Sequence, residues 1–433
     1  MKTPICDYVN QYAQNQTLRL HMPGHKGEGV LGVERLDITE ISGADSLYEA
    51  SGIIRESEEI ASDIFGCPTF YSTEGSSQCI RAMVHLAMLW AKRQGRKPVI
   101  AAGRNAHKAF LSAAALLDVD VRWLYGRQDS YLSCHLTVED LESVFAEAVP
   151  TAVYITSPDY LGNVADIKVL AEVCHRYDAL LLVDNAHGAY LQFLGQHPMT
   201  LGADLCCDSA HKTLPVLTGG AYLHTTAELA GQAKDALALF GSTSPSYLIL
   251  QSLDACNPYL ANYGEKLRQF LAKMEQLRAR LTAHGYLLYG NEPMKLTLCT
   301  KPFGYEGTAL AACLEEKGIV CEFADPDFVV LMPTPETPLA PLEKALLGIP
   351  PRPAITAKAP GFCRCERVLS IRQAALAVSR RVKVEDAVGR VLASPSVGCP
   401  PAVPIVVCGE RIDENARKAF LYYGITHCLV VDE

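Results

Sequence analysis

The stretch between residues 60 and 225 alternates helix-like segments with short apolar runs, and this alternation limits the possible folds more than any other feature of the chain. Runs that are apolar at every residue, and not only at every second one, are typical of strands buried on both faces of a sheet. Together with the intervening helices they predict an α/β fold with a mostly parallel sheet. The predicted strands lie at residues 98–102, 152–156, 180–183, 205–207 and 220–223.

Two of the intervening segments repeat apolar residues at the spacing of one buried helix face. Gly95 ends the first predicted helix, residues 76–94, and Asp166 is the predicted N-cap of the second. The face of the first helix carries Ile80, Met83, Val84, Ala87, Met88 and Ala91. The inner face of the second is expected to consist of Val169, Leu170, Val173, Cys174 and Tyr177.

The length of the chain, 433 residues, is too great for one ordinary hydrophobic core. We predict a major domain with an N-terminal segment over residues 1–255, which carries the parallel sheet. A small α+β domain is predicted over residues 256–355. A Pro-rich passage, 333–360, precedes a predicted C-terminal domain over residues 360–433.

Charge and apolar patterning exclude several classes of protein. The formal net charge is -9 and no run of Lys or Arg is dense, so we predict no nucleic-acid partner. No apolar window reaches the length of a membrane helix, and Asp7 with several amides stands where an export signal would be apolar, so we expect a cytoplasmic protein without a membrane partner. The 16 cysteines include no two C-x-x-C pairs, which predicts reduced, buried thiols and no metal site.

Three groups of polar residues stand where open parallel sheets bind ligands, at the ends of strands or the start of a helix. The first, STEGSS at 72–77, offers backbone N–H groups, a flexible Gly75 and hydroxyl donors to a phosphate. The second is Asp184, which could bind a metal, a ribose or a ring nitrogen, or could cap a loop. The third is Lys212, in SAHKTLP at 209–215, which could react with an aldehyde.

Taken singly, a Ser-rich helix start and a loop lysine are more often structural than functional, and an acid at a strand end is about equally often either. A phosphate cradle, a carboxylate and a lysine in this order are, however, the parts that a pyridoxal phosphate site requires. The carboxylate would keep the pyridine nitrogen protonated, the lysine would bind the aldehyde, and the cradle would hold the phosphate. The sequence therefore predicts pyridoxal phosphate as the cofactor.

Five ordered motifs resemble those of the bacterial ornithine/lysine/arginine decarboxylases, a branch of the fold type I, aspartate-aminotransferase-like pyridoxal phosphate enzymes. The motifs are LHMPGHKG at 20–27, RNAHK at 104–108, DNAHGA at 184–189, SAHKTLP at 209–215 and TSPSY at 243–247. The resemblance covers nearly the whole chain and is to a short form of the family. It implies release of carbon dioxide from arginine, lysine or ornithine, which yields an amine or polyamine precursor.

The resemblance also implies roles for individual residues. Lys212 would bind the cofactor covalently, and Asp184 would pair with the pyridine nitrogen. His107 would stack on one face of the ring, with the Ala186 methyl against the other, and Lys212 or His211 would return a proton to the substrate carbon. The implied catalytic residues are Lys212, His211 and His107. The implied cofactor-binding residues are Gly75, Ser76, Ser77, His107, Asp184, Ala186, His187, Ser209, His211, Lys212, Thr243 and Ser244.

Four positions bear on partners and substrate. Thr243 and Ser244 resemble residues that cross a dimer interface, which implies a homodimer whose sites each use two chains. Glu74 and Asp159 depart from the family pattern, which has an amide-type and an uncharged residue there. These extra acids could bind a basic substrate, or they could be solvated loop charges.

Other readings of the same residues remain. The cofactor site alone does not choose the bond to be broken, so a transaminase or another lyase is an alternative. A second alternative is a protein that binds the cofactor without turnover. A nucleotide-binding dehydrogenase is the third, but no G-x-G-x-x-G motif follows an early strand.

Overall fold

The computed structural model describes residues 1–15, 17–394 and 401–432. The helices of this part of the chain, in order, are α1 (Pro4–Gln14), α2 (Ile53–Phe65), α3 (Ser76–Arg93), α4 (Lys108–Leu117), α5 (Val138–Glu147), α6 (Ile167–Arg176), α7 (Ala210–Thr213), α8 (Ala227–Ala230), α9 (Ala233–Ala238), α10 (Tyr247–Leu260), α11 (Tyr263–His284), α12 (Gly307–Glu315), α13 (Leu339–Leu347), α14 (Ile371–Ala375) and α15 (Glu414–Tyr422). The strands are β1 (Thr69–Ser72), β2 (Val99–Gly103), β3 (Asp120–Leu124), β4 (Ala152–Thr156), β5 (Leu180–Asp184), β6 (Leu205–Asp208), β7 (Ala221–Thr225), β8 (Leu287–Tyr289), β9 (Leu296–Cys299), β10 (Phe323–Ala324), β11 (Phe328–Leu331), β12 (Ser379–Lys383), β13 (Leu392–Ser394) and β14 (His427–Val431).

The predicted apolar runs correspond to β2, β4, β5, β6 and β7, and the predicted helix at 76–94 corresponds to α3. Asp166 caps α6 as predicted, because its side chain accepts a hydrogen bond from the N–H of Val169. The predicted inner face of α6 is wrong at two positions, since Val169 and Tyr177 are more than a third exposed. The buried face instead includes Ile167 and Ala171 beside Leu170, Val173 and Cys174.

The chain divides into two compact units. The first consists of Met1–Pro98, Phe145–Ser157 and Asp166–Glu265, and the second of Val99–Val144, Pro158–Ala165 and Lys266–Glu433. Each unit combines segments that are distant in the sequence. The division of the sequence into domains at 1–255, 256–355 and 360–433 stays a prediction.

In the first unit, five strands lie in the order β1-β7-β6-β5-β4. Strands β4, β5 and β6 are parallel, whereas β7 is antiparallel to both β6 and β1. Every residue of β5, β6 and β7 is buried, which explains why these strands are apolar almost throughout. The sequence did not indicate β1, because its residues, TFYS, place only two aromatic residues between polar ones and form no longer apolar run.

In the second unit, β2 and β3 are parallel, and two further sheets are antiparallel. One has the order β10-β11-β9-β8 and the other the order β12-β14-β13. A separate apolar core packs under the second of these sheets and includes Val384, Leu392, Phe420 and Val430. Residues 256–355, which were predicted to be α+β, contain the helices α11 to α13 and the strands β8 to β11.

A buried ion pair holds the RNAHK segment to a distant loop of the second unit. Arg104 donates hydrogen bonds to the carbonyl oxygens of Pro404 and Ile405 and to Oε2 of Glu410, 3.1 Å away. The same Glu410 oxygen accepts the N–H of Val407 at 2.7 Å. The side chains of Arg104 and Glu410 are only 3% and 4% exposed, so each charge is kept from water and is compensated by the other.

We expect the substitution Glu410→Gln to lower the free energy of unfolding by about 3 kcal/mol, because it leaves the Arg104 charge buried without a counter-charge. Urea denaturation followed by circular dichroism measures this change. The matched control is Glu366→Gln, which removes the acid of an exposed pair with Arg411 and should cost less than about 1 kcal/mol. Equal losses in the two variants would contradict a special role for the buried pair.

Two further properties concern the chain as a whole. Each helix of the described residues is too short or too polar to cross a lipid bilayer. Nine of the cysteines in the described ranges are buried, as predicted, whereas six are only partly buried. Burial raises the pKa of Cys206 and Cys207 far above the usual range of a thiol. These two thiols therefore act as small apolar side chains inside β6.

Candidate active site

Three strands of the first unit end at one edge of the sheet. Because β1 and β6 are both antiparallel to β7, β1 runs in the same direction as β5 and β6. Ser72, Asp184 and Asp208 are therefore the last residues of three strands at this edge. The three polar groups singled out in the sequence follow these strands, as expected for a ligand site in an open sheet.

The start of α3 is built to receive an anion. This helix has 18 residues, and its N-cap is Gly75, which has no side chain to cover the first N–H groups. Gly75 has a φ of +72°, a conformation that favours glycine, and a Cβ there would meet only the backbone N of Ser77 at 4.0 Å. The space in front of the N–H groups of Ser76 and Ser77 is thus open to a phosphate.

The side chain of Asp184 is 2% exposed and is surrounded by neutral donors. Its Oδ2 accepts the Tyr154 hydroxyl at 3.0 Å, and its Oδ1 accepts the N–H of Ala186 at 3.3 Å. Burial raises the pKa of Asp184, while the charge of Lys212 lowers it. A buried carboxylate of this kind is stabilised in its charged form by a cation, such as a protonated ring nitrogen.

Lys212 lies at the start of the segment that follows β6. Its Nζ is 3.1 Å from Nε2 of His187, which belongs to the DNAHGA motif after β5. His211 donates from Nδ1 to the carbonyl oxygen of Gly220 at 2.9 Å. Burial lowers the pKa of His211, so its ring is neutral at pH 7 and its Nε2 carries no proton.

Two hydrogen bonds join these segments to the phosphate loop. The hydroxyl of Ser209 donates to Oγ of Ser76 at 2.8 Å. The N–H of Gly75 donates to the carbonyl oxygen of Gly219, at the turn before β7, at 2.7 Å. The structure thus brings together those parts of the predicted site that lie in the first unit.

A layer of side chains below the site was missed by the sequence analysis. Asp208 accepts hydrogen bonds from Nε2 of His197 at 3.1 Å and of His224 at 3.2 Å, and from Asn185 at 2.6 Å. The ligand atoms of Asp208 and the two histidines lie within 4.8 Å of one another, and all three residues are buried. Through Asn185 this cluster fixes the backbone beside Asp184. His197, Asp208 and His224 are spread over a sequence separation of 27 residues, so no local pattern indicates them.

The loop that carries Thr243 and Ser244 lies against the start of α3, and both residues are exposed. Glu74 accepts the N–H of Ser242 at 2.5 Å. Gly241 allows this close packing, since a Cβ there would lie 1.8 Å from the Tyr48 hydroxyl. Glu74, one of the two unexpected acids, therefore ties this loop to the phosphate loop.

The other unexpected acid, Asp159, belongs to the second unit and orders a loop. Its Oδ1 accepts the N–H groups of Leu161 and Asn163, and its Oδ2 accepts the Asn163 amide at 2.7 Å. It is 3% exposed and is not a solvated loop charge. His107 also belongs to the second unit, where it caps α4 by accepting the N–H of Ala109 at 3.1 Å. Its stacking on a cofactor ring stays a prediction.

The residues of the first unit fit pyridoxal phosphate. The open space at Gly75 and the start of a long helix suit the phosphate, and a buried carboxylate with neutral donors suits a protonated ring nitrogen. Lys212, which lies on the segment next to both, suits the aldehyde. The site holds each kind of group that this cofactor requires.

Comparison with known proteins agrees with this fit. The model of the Orn/Lys/Arg decarboxylase major domain matches residues 3–288, and that of the Orn/Lys/Arg decarboxylase C-terminal domain matches residues 369–427. An arginine decarboxylase of Halalkalibacterium halodurans is 30% identical, over 96% of this chain and 92% of that protein. An arginine decarboxylase of Bacillus subtilis is 28% identical over the same shares.

The solved structure of lysine decarboxylase A from Pseudomonas aeruginosa superimposes with a TM-score of 0.79. It is 17% identical, and the match covers 97% of this chain and 75% of that chain. This likeness confirms the predicted α/β fold, that of the fold type I pyridoxal phosphate enzymes. The chain belongs to the Orn/Lys/Arg decarboxylase family and is a decarboxylase that depends on pyridoxal phosphate.

Proposed function

We propose that the chain decarboxylates a basic amino acid, with arginine as the first candidate, at the site around Asp184 and Lys212. One observation supports this proposal: the N-terminus of α3, the buried Asp184 and Lys212 all lie at the same edge of the sheet. Arginine comes first because two relatives that match along almost their whole length are arginine decarboxylases. The amine product would be a polyamine precursor.

The proposed residues divide the work between them. When bound, pyridoxal phosphate supplies a ring that withdraws the electron pair left on the substrate carbon as carbon dioxide departs. The N–H groups of Ser76 and Ser77, with the hydroxyls of Ser76 and Ser209, would hold the phosphate. Asp184 would keep the ring nitrogen protonated, and Ala186 and His107 would lie against the two ring faces.

Lys212 is the better candidate for the group that returns a proton to the substrate carbon. His211 uses its Nδ1 proton in the hydrogen bond to Gly220, and its lowered pKa leaves Nε2 without a proton. A neutral ring in this arrangement can accept a proton at Nε2 but has none to donate there. Lys212 would carry the proton on Nζ, with His187 at 3.1 Å orienting it.

A panel of amino acids tests the proposed substrate. Carbon dioxide release and amine formation should be fastest with arginine, lysine or ornithine and negligible with acidic or apolar amino acids. The same panel separates decarboxylation from transamination, which would yield an oxo acid and no carbon dioxide. Equal rates with acidic amino acids would overturn the assignment to a basic side chain.

We also propose that the chain acts as a homodimer in which Thr243 and Ser244 reach the partner's site. A single chain leaves several apolar side chains exposed near the LHMPGHKG motif, which is unusual for a surface that faces only water. They are Leu18, Leu20, Val30 and Leu31, each at least 79% exposed. Thr243 and Ser244 are exposed in the same single chain. The predicted cytoplasmic location stays a prediction.

Mixing two inactive variants tests the shared site. If Lys212 and Ser244 of different chains meet in one site, unfolding and refolding Lys212→Ala together with Ser244→Trp should restore about one quarter of the wild-type activity, since half of the dimers are mixed and have one intact site. Light scattering checks that the mixture is dimeric. A mixture as inactive as the two separate variants would contradict the shared site.

A further inference from the structure

The second unit contains a cavity that the proposed reaction does not use. Its volume is about 390 Å³, within the usual range for small-ligand sites. Aromatic side chains form much of its wall, and one acid lies among them. The lining includes Tyr131, Phe323, Tyr422, Tyr423 and Asp325.

The acid of this cavity is buried and incompletely bonded. Asp325 is 5% exposed, and its Oδ1 accepts the N–H groups of Asp327 and Phe328, both at 2.8 Å. Its Oδ2 has no hydrogen-bond partner among the residues that the structure describes. Leaving a buried carboxylate oxygen unbonded is costly, so this atom calls for a donor from outside the chain.

The charges around the cavity add up to one unpaired negative charge. Asp327 is paired, because it lies 2.8 Å from Nζ of Lys301 and accepts the Tyr422 hydroxyl at 2.9 Å. Lys301 forms its ion pair with Asp327 and only lowers the pKa of Asp325 through its charge, while Oδ2 of Asp325 has no hydrogen-bond partner in the described residues. Tyrosine and phenylalanine rings attract cations through their faces, and Tyr131 and Tyr423 lie with ring centroids 4.6 Å apart at this wall.

We propose that this cavity binds a small aliphatic ammonium ion, whose charged group contacts Asp325 and whose apolar chain packs against the aromatic wall. An anion would meet the negative charge of Asp325 here, and a neutral apolar ligand would leave the carboxylate oxygen unbonded. The amine that forms when a basic amino acid loses carbon dioxide belongs to this chemical class. That link rests on the proposed function, but the binding of an ammonium ion does not.

Calorimetric titration of the cofactor-loaded full chain with n-pentylamine tests this proposal. We expect saturable binding to the wild type and at least about tenfold weaker binding of 1-pentanol, which lacks the charge. The Asp325→Asn substitution should also weaken n-pentylamine binding by about tenfold or more, while it keeps the Oδ1 acceptor that orders residues 327 and 328. Asp386→Asn, at an exposed acid of the same unit, should bind n-pentylamine as the wild type does.

The visible spectrum of the cofactor, recorded during the titration, separates this cavity from the active site. Binding at the cavity should saturate without changing that spectrum. The proposal is overturned if the wild type shows no saturable binding, if 1-pentanol binds as well, or if Asp325→Asn retains the affinity. It is also overturned if the heat of binding parallels a change in the cofactor spectrum throughout the titration, because the ligand would then bind at the active site. None of these outcomes depends on whether the chain decarboxylates an amino acid.

A second pair of variants serves if Asp325→Asn does not fold. Tyr423→Leu removes one ring of the wall and should weaken n-pentylamine binding several-fold, whereas Tyr423→Phe keeps the ring and should not. Equal affinities in these two variants would contradict the proposed contact with the aromatic wall.

The pH dependence of n-pentylamine binding is an independent test of the contact with Asp325. Burial, with the charge of Asp327, raises the pKa of Asp325 to about 6, and the charge of Lys301 opposes this. An alkylammonium ion stays protonated well above neutral pH. Its affinity should therefore increase as the pH rises through about 6 and Asp325 loses its proton. The other titratable groups at the wall stay neutral there because burial raises their pKa: Tyr131, Tyr422 and Tyr423.

Discussion

Replacing Lys212 with alanine is expected to lower kcat by roughly 10⁴-fold, because the variant would lose both the proposed covalent attachment of the cofactor and the proposed proton donor. The rest of the site should remain, since the hydrogen bond between Ser209 and Ser76 does not involve the lysine side chain. Release of carbon dioxide from arginine, lysine and ornithine measures the loss. The matched control is Lys168→Ala, at an exposed lysine on α6, which should keep the wild-type rate.

The attachment itself can be measured without turnover. Borohydride reduction of the cofactor-loaded wild type, followed by peptide mass analysis, should find the added mass on Lys212. The Lys212→Ala protein should carry no such mass and should bind the cofactor reversibly through the phosphate loop. The proposed site would be contradicted if the reduced cofactor were found on another lysine. It would also be contradicted if Lys212→Ala decarboxylated its substrate at the normal rate.

Changing Asp184 to asparagine is expected to lower kcat by roughly 10²–10³-fold, because a neutral amide does not hold the ring nitrogen in its protonated form. The fold should survive, since the amide oxygen of an asparagine can still accept the N–H of Ala186. Steady-state rates on the best substrate measure this change. Affinity for the cofactor, followed by absorbance, should fall much less than the rate.

Asp204 provides the control for this substitution. It lies just before β6, at the opposite end of that strand from Lys212, and accepts the N–H of Leu181 at 2.7 Å. Asp204→Asn therefore removes a largely buried acid of the same unit without touching the candidate site. If both variants lose rate equally, the effect of Asp184 is structural and its pairing with the ring nitrogen is not supported.

Much of the first unit follows from short-range patterns. The strands β4, β5 and β6 are buried on both faces, so their sequences are apolar almost throughout and stand out from their surroundings. The helix α3 is long enough to repeat its buried face several times, which made its range predictable to within one residue. In contrast, β3 alternates apolar residues with Asp120 and Arg122, and β8 has only three residues, so neither was predicted.

The error in the buried face of α6 has a simple origin. Val169 and Tyr177 are apolar, and the pattern counted them as part of the inner face, but both are more than a third exposed. Ala171 was not part of the predicted face, yet it is only 2% exposed. Single apolar residues on a surface are common, so which of two neighbouring stripes faces the sheet depends on the strands beneath the helix.

By itself, the sequence determined the α/β class, the strands with an unbroken apolar run and the cofactor, and it predicted Gly75, Asp184 and Lys212 as parts of one site. These features are local, or they are carried by ordered motifs. Only the tertiary structure decided how Asp208 joins His197, His224 and Asn185, where Glu74 and Asp159 find their partners, and that Asp325 lines an aromatic cavity. Such contacts join residues far apart in the chain, and spacing along a sequence carries no information about which distant segments pack together.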